Sequence, residues 1–158
     1  MAKPLPDVEL LKQRYNYNPI TGVVTGRRNG KVLRWTDSHG YLKVRVNKEA
    51  FKLARIIWKI VTGKDPVGEV DHIDLNRRNN RWTNLRDATS AQNNRNRKPK
   101  TNKGKLKGAN WHKRTGRYES SICVNGKRIY LGSFATAAEA NAKYRAAAIE
   151  HFGSFARG

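Results

Sequence analysis

Residues 69–100 read EVDHIDLNRRNNRWTNLRDATSAQNNRNRKPK. The run opens as a short strand, passes through an Asn/Arg-rich loop and returns as a strand near Leu85–Ala88. It then continues into a helix that Thr89 or Ser90 can cap. Its polar residues form a candidate set for hydrolysing a phosphodiester. That chemistry needs a base to activate water, a hard cation to stabilise developing charge, and a scaffold to hold both. His72 is the natural base, because imidazole titrates close to working pH. Asp71 supplies a hard oxygen ligand suited to magnesium or manganese. Asn93, on the following helix, offers a second oxygen through its amide carbonyl. Neighbours on a regular strand point to opposite faces, so the strand is expected to end or twist at Asp71 and His72. Residue chemistry alone leaves a second reading open, in which the Asp-His pair is simply solvated and the asparagines only form turns.

Toward the N-terminus, Ala54 to about Thr62 reads as a helix with Ile56, Ile57, Ile60 and Val61 apolar, Trp58 in the core and Gly63 as its stop. Before it, Gly22 to Leu53 is strand-like. Leu42, Val44 and Val46 line one face of a strand and the charges line the other, and Asn47-Lys48-Glu49 makes a hairpin turn. Asn18-Pro19 and Thr21-Gly22 punctuate a further turn. Asp7 is the N-cap of a short helix reaching about Tyr15, with Leu11 and Tyr15 on one face.

Toward the C-terminus, no acid occurs from Ala88 to Tyr118, and RNRKPKTNKGKLKG (95–108) carries seven positive charges among Gly, Pro and Asn. One-signed charge on breaker-rich chain marks a boundary and a linker that tracks phosphates. Beyond it, Ala109–Lys113, Arg117–Val124 and Lys127–Phe134 read as strands. Thr115-Gly116 and Asn125-Gly126 form the turns, and Asn-Gly between strand patterns is a strong hairpin signal. Thr136-Ala137-Ala138-Glu139 is a capping box. It opens a helix ending near Gly153, with Ala140, Tyr144, Ala147 and His151 in line.

Composition bounds the function. Lys and Arg number 33 against 12 acids, a formal charge of +21 over 158 residues. Uncompensated like charge repels itself in a compact state, so a polyanion is the expected partner, and nucleic acid is the default. Four Trp, six Tyr and four Phe argue against wholesale disorder. The single Cys123 excludes an internal disulfide, and without a CxxC pair no zinc site is expected. No apolar run has the length of a signal peptide or a bilayer span, so an intracellular, cytoplasmic protein without a membrane partner is expected.

The stretch VDHIDLNRRNNRWTNLRDATSAQNNRN resembles the HNH nuclease motif, in the version common among phage and intron-encoded homing endonucleases. The resemblance runs through most of 15–97, including GYLKVRV and RIIWKIVTGKDP. It implies a ββα-metal finger at about 66–97, with His72 as general base and Asp71 and Asn93 as metal ligands. By the same likeness Asn84 pins the loop between the strands and so orients His72. Relatives often have Gly near Leu75 and His at the position of Ala54. The segment from Gly108 to Arg157 is similar to the plant Apetala-two/ethylene-response-factor DNA-binding domain, through GRYESSI, KRIYLGSF, TAAEANAKYRAAA and HFG. In that family a three-stranded sheet lies in the DNA major groove.

The expectation is therefore an α+β protein: an HNH endonuclease domain over 1–97, a basic linker over 98–106 and a DNA-binding domain over 107–158. Candidate DNA contacts are Arg86, Arg95, Arg97, Lys98, Lys100, Lys103, Lys105, Lys107, Trp111, Lys113, Arg114, Arg117, Tyr118, Arg128 and Tyr130. Trp111 and Tyr118 fit core packing equally well. The implied cofactor is a divalent cation, with no small-molecule cofactor. The expected partner is double-stranded DNA, bound by a monomer. A DNA-binding regulator whose HNH frame does not cut is the rival reading, and an RNA-binding protein is a weaker one, because A-form RNA hides its major groove.

Overall fold

Asp7 starts the first helix. Its carboxylate accepts the N–H groups of Glu9 and Leu10 at 2.9 and 3.2 Å, capping α1 (Val8–Arg14). In this computed structural model, which describes residues 3–96 and 106–156, the chain is α+β and built on small antiparallel sheets. It divides into two compact units, Met1–Ser90 and Ala91–Gly158.

In the first unit, β1 (Tyr15–Tyr17) pairs with β2 (Val24–Gly26), and β3 (Lys43–Val46) with β4 (Glu49–Lys52). The second hairpin turns on Asn47 and Lys48, at φ 50° and 68°. Two successive positive φ values are what a two-residue hairpin loop needs to match strand twist. Val44 and Val46 face inward, as their alternation predicts. With Leu11, Val24, Phe51 and the inner face of α2 (Leu53–Thr62) they form the core. Ile56 and Ile57 of α2 are fully buried, each contributing about 1.5–3 kcal/mol through apolar burial. The helix stops at Gly63, which takes φ 75° and donates its N–H to the Lys59 carbonyl. Trp58, expected in the core, is only half-buried and lies 5.2 Å from the Trp82 ring.

The last pair of this unit is β5 (Glu69–His72) with β6 (Leu85–Ala88), in the register Asp71↔Arg86 and His72↔Leu85. Asp87 accepts the N–H groups of Val67 and Gly68 at 2.7 and 2.8 Å, fixing where β5 begins. A 3-10 turn over Trp82–Asn84 leads into β6. After β6 the chain enters α3 (Ser90–Asn96).

The second unit holds β7 (Asn110–His112), β8 (Arg117–Val124) and β9 (Lys127–Phe134) in sheet order β7-β8-β9, followed by α4 (Ala137–Phe152). Asn125 and Gly126 take φ 50° and 80° in the expected tight turn. Both arms of the Thr136/Glu139 capping box are formed. Ile122 packs with Ala147, Ala148, Leu131 and Tyr144. His151, expected in line with the buried row, is exposed, because the row runs on through Ala148 instead. Among the described residues no helix is long and apolar enough to cross a membrane.

Candidate active site

β5 ends at His72, and the chain then turns tightly, with the Leu75 N–H donating to the His72 carbonyl at 2.9 Å. Leu75 takes φ 65°, the backbone region that glycine occupies without strain. Asp71 and His72 are both buried, at 5% and 4% exposure. The ladder sets Asp71 beside Arg86, whose Nε and Nη2 donate to the same Asp71 Oδ2 at 3.0 and 2.8 Å. The Arg86 side chain is itself only 12% exposed.

His72 makes a different contact. Its Nε2 lies 3.0 Å from Asn80 Oδ1, in a buried hydrogen bond. The Asn80 amide nitrogen turns to the Arg78 carbonyl at 3.5 Å. That arrangement puts the imidazole proton on Nε2 and makes Nδ1 the basic nitrogen, an assignment drawn from the bonding pattern. Burial pushes the imidazole pKa below its ordinary value. The Asn80 hydrogen bond and the charges of Asp74 and Asp71 oppose that shift, and Lys52 adds to it. Burial therefore favours the neutral, base form of the ring.

Asn84 ties the loop to the strands. Its Oδ1 accepts the Asp74 N–H at 3.0 Å, its Nδ2 donates to the Asn79 carbonyl at 2.7 Å and to Asp74 Oδ1 at 2.9 Å, and its carbonyl accepts the Ile73 N–H at 3.0 Å. The other oxygen of Asp74 accepts from Asn79 Nδ2 at 2.7 Å. The β1–β2 hairpin braces the loop from outside: Tyr17 Oη donates to the Asn80 carbonyl at 2.8 Å, and the Trp82 N–H donates to the Pro19 carbonyl at 3.0 Å. Gly22, at φ 75°, permits the approach, since a Cβ there would stand 2.6 Å from the Asn80 carbonyl carbon.

Sequence pattern does not single out Asn80, Asp74, Tyr41, Lys52 or Arg77. The Asn79-Asn80 doublet is the sequence signal that points toward Asn80. Asn93 lies on α3, which falls almost wholly in the second unit. Among the described residues no group of three or more His, Cys, Asp or Glu side chains gathers as an ion cage.

In the second unit, register separates the candidate DNA contacts by face. β8 alternates regularly and β9 carries an extra residue near Leu131, so Ser121 pairs with Tyr130 and Cys123 with Arg128. Residues paired directly across a ladder share a face. Arg117, Arg128 and Tyr130 therefore stand on the face away from buried Ser120 and Ile122, with Tyr130 61% exposed. Arg128 Nε is steadied by Ser121 Oγ at 2.9 Å, and Arg117 by Ser133. Trp111 and Tyr118 belong to the opposite face and stack edge-on at 4.9 Å. Lys113 and Arg114 are exposed in the turn after β7. Lys107 donates to the Arg95 carbonyl at 2.9 Å, and the Arg95 guanidinium lies 4.2 Å over the Phe152 ring, so both are engaged in their own unit. Arg97, Lys98, Lys100, Lys103 and Lys105 lie outside the described residues.

Comparison with known proteins bears on parts of the chain. Residues 52–95 match the family model of the HNH endonucleases. APETALA2-like protein 2 of rice, Oryza sativa subspecies indica and japonica, is 42% identical over 55 residues, which is 35% of this chain and 13% of the plant protein. Protein 3.8 of Escherichia phage T7 is 36% identical over 74 residues, 46% of this chain and 61% of that protein. The chain thus spans a small part of the plant relatives and under two thirds of the phage one. A solved structure describing DNA binding and cleavage by the HNH homing endonuclease I-HmuI overlaps 58% of this chain and 55% of its own, at 28% identity and a TM-score of 0.44. The family match covers the stretch that supplies Asp71, His72, Asn80, Asn84 and Arg86, and that segment is similar to the HNH endonucleases.

Proposed function

We propose that this chain is a metal-dependent HNH endonuclease, of the homing-endonuclease kind, that hydrolyses phosphodiester bonds in double-stranded DNA. The supporting observation is a buried imidazole at the end of β5, bonded through Nε2 to Asn80 and adjoining a buried carboxylate, inside the stretch that matches the family. In this reading a water oxygen attacks phosphorus while its proton passes to His72 Nδ1. The bond from phosphorus to the leaving sugar oxygen breaks, and solvent protonates that oxygen. Asn80 keeps the ring oriented and in the reactive tautomer, and Asn84 keeps the loop that carries Asn80.

The donors fit a hard cation rather than zinc, because they are oxygens and Asp71 is already fixed in place by Arg86. Asp71 would hold magnesium or manganese. A bound cation would supply Lewis-acid stabilisation of charge on the phosphate and leaving oxygen.

The C-terminal sheet would hold the DNA, with Arg117, Arg128 and Tyr130 as its groove-facing side chains and Lys113 and Arg114 on phosphates. Trp111, 53% exposed, stacks on Tyr118 and offers an aromatic surface for DNA on the other face of the sheet. The basic segment over 98–106 would add salt-sensitive, sequence-independent affinity. Linking two modest binders raises local concentration, so a monomer can select a long site without either part being strong.

Incubating the purified chain with supercoiled plasmid should give nicked or linear DNA with magnesium and none with EDTA. A regulator that binds without cutting is the second reading, favoured by the guanidinium that occupies Asp71 Oδ2. Intact plasmid under every metal condition, with DNA still bound, would establish it.

A further inference from the structure

Lys52 is directly cross-strand from Lys43, and like charges placed opposite one another repel. The two lysines diverge. Lys43 turns to Asp37, at 3.6 Å, and to the Trp35 ring. Lys52 turns the other way, its Nζ 4.2 Å over the Tyr41 ring. Arg77 reaches the same ring from the loop after β5, its Cζ 4.7 Å from the centroid, while its Nη1 donates to the His39 carbonyl. Two cations from separate parts of the chain thus share one aromatic ring. Both are exposed, and among the described residues neither is paired with a carboxylate. The Tyr41 ring in turn lies 6.0 Å from the His72 ring.

Each cation is attracted to the ring, the two repel one another, and an anion bound between them would relieve that repulsion. We infer that Lys52 and Arg77, steadied by Tyr41, form a clamp for the DNA phosphate presented to His72. This rests on the nuclease reading above and assigns two substrate-binding residues and one positioning residue to that site. Lys52 and Arg77 touch the phosphate oxygens. Tyr41 acts through them, by restricting where the two cations can stand. A planar guanidinium and a compact ammonium suit different oxygens of the same phosphate.

The test uses the full chain, an oligonucleotide duplex and the variants Lys52→Gln, Arg77→Gln, Tyr41→Leu and Tyr41→Phe, each checked for an unchanged circular dichroism melt. Lys52→Gln and Arg77→Gln should each lower kcat/KM about ten- to a hundredfold. Each should also reduce the slope of log binding constant against log salt by about 0.9, the signature of one lost phosphate contact. Tyr41→Leu should lower kcat/KM roughly tenfold, and Tyr41→Phe, which keeps the ring, should recover most of that loss. Salt slopes and turnover that stay unchanged in Lys52→Gln and Arg77→Gln would overturn the clamp while leaving the nuclease reading in place. If the unsubstituted chain cuts nothing with any metal, the nuclease reading fails, and the salt slopes still decide the clamp.

Discussion

Asp71 and Arg86 face each other across the β5–β6 ladder, and two guanidinium nitrogens close on one carboxylate oxygen at 3.0 and 2.8 Å. Both groups are nearly excluded from water. Removing one partner of a buried pair leaves the other charge without that compensation, which costs far more than losing a surface bridge. Arg86→Ala should therefore lower unfolding free energy by about 3 kcal/mol in a urea titration. Asp71→Asn should cost less, since an amide oxygen still accepts from the guanidinium. Equal stability of Arg86→Ala and the unsubstituted chain would show that the pair does not hold the site.

Asn80 touches the imidazole itself, whereas Asn84 touches the loop. Asn80→Ala removes the acceptor that fixes the ring's tautomer and direction. Cleavage should drop about a hundredfold, as a small misplacement of a reacting group can cost that much. Asn80→Asp keeps an acceptor oxygen and should lose less. Single-turnover rates on a labelled duplex check the order.

Gly22 and Gly30 both hold positive φ, but they differ in surroundings. A Cβ at Gly22 would strike the Asn80–Arg81 backbone, while at Gly30 it would meet nothing within 4 Å. Gly30→Ala should cost about 1 kcal/mol, from backbone strain alone. Gly22→Ala should cost about 2–4 kcal/mol, from strain plus overpacking, and should slow cleavage by displacing the loop that carries Asn80. Thermal melts of the two variants, compared with their turnover, separate the terms.

Two carboxylates tie the first unit together. Burial pushes both upward, but the bonds from Lys59 and the Leu5 N–H at Asp65, and from Asn79, the Asn76 N–H and Asn84 at Asp74, outweigh it. Both pKa values fall below the ordinary 3.8. A folded-state pKa below the unfolded one gives stability that is complete above the ordinary value and lost as pH falls through the folded value. The stability advantage of the unsubstituted chain over Asp65→Asn should therefore be constant near neutral pH and shrink below about pH 4. An advantage that grows on acidification would reverse the sign. Urea titrations at a series of pH values measure it.

Signals that act within a few residues were legible. The Asp7 cap, the Asn125-Gly126 turn and the Thr136/Glu139 box each depend on neighbours in sequence, and each forms as predicted. The α+β class followed from them. The end of β5 at His72 was foreseen from strand alternation, since two adjacent residues could not otherwise serve one centre. What sequence did not reveal depends on contacts closed by folding. His72 meets Asn80 across a loop, and Tyr41 meets Lys52 and Arg77 only because one hairpin and one loop converge. Arg117, Arg128 and Tyr130 share a face, and Trp111 and Tyr118 lie on the other, through a register that includes an extra residue in β9. Leu75 looked like a departure from a glycine position, yet its backbone takes the glycine conformation, because the Asp74 and Asn84 bonds hold the turn around it.

In the proposed mechanism the buried His72 imidazole removes a proton from water beside a DNA phosphate. The most direct measurement compares His72→Ala with the unsubstituted chain on one labelled duplex, scoring binding and strand scission in the same reaction with magnesium. Binding retained within a few-fold, with scission abolished, is the expected result. Scission by His72→Ala at the unsubstituted rate would remove His72 from the mechanism.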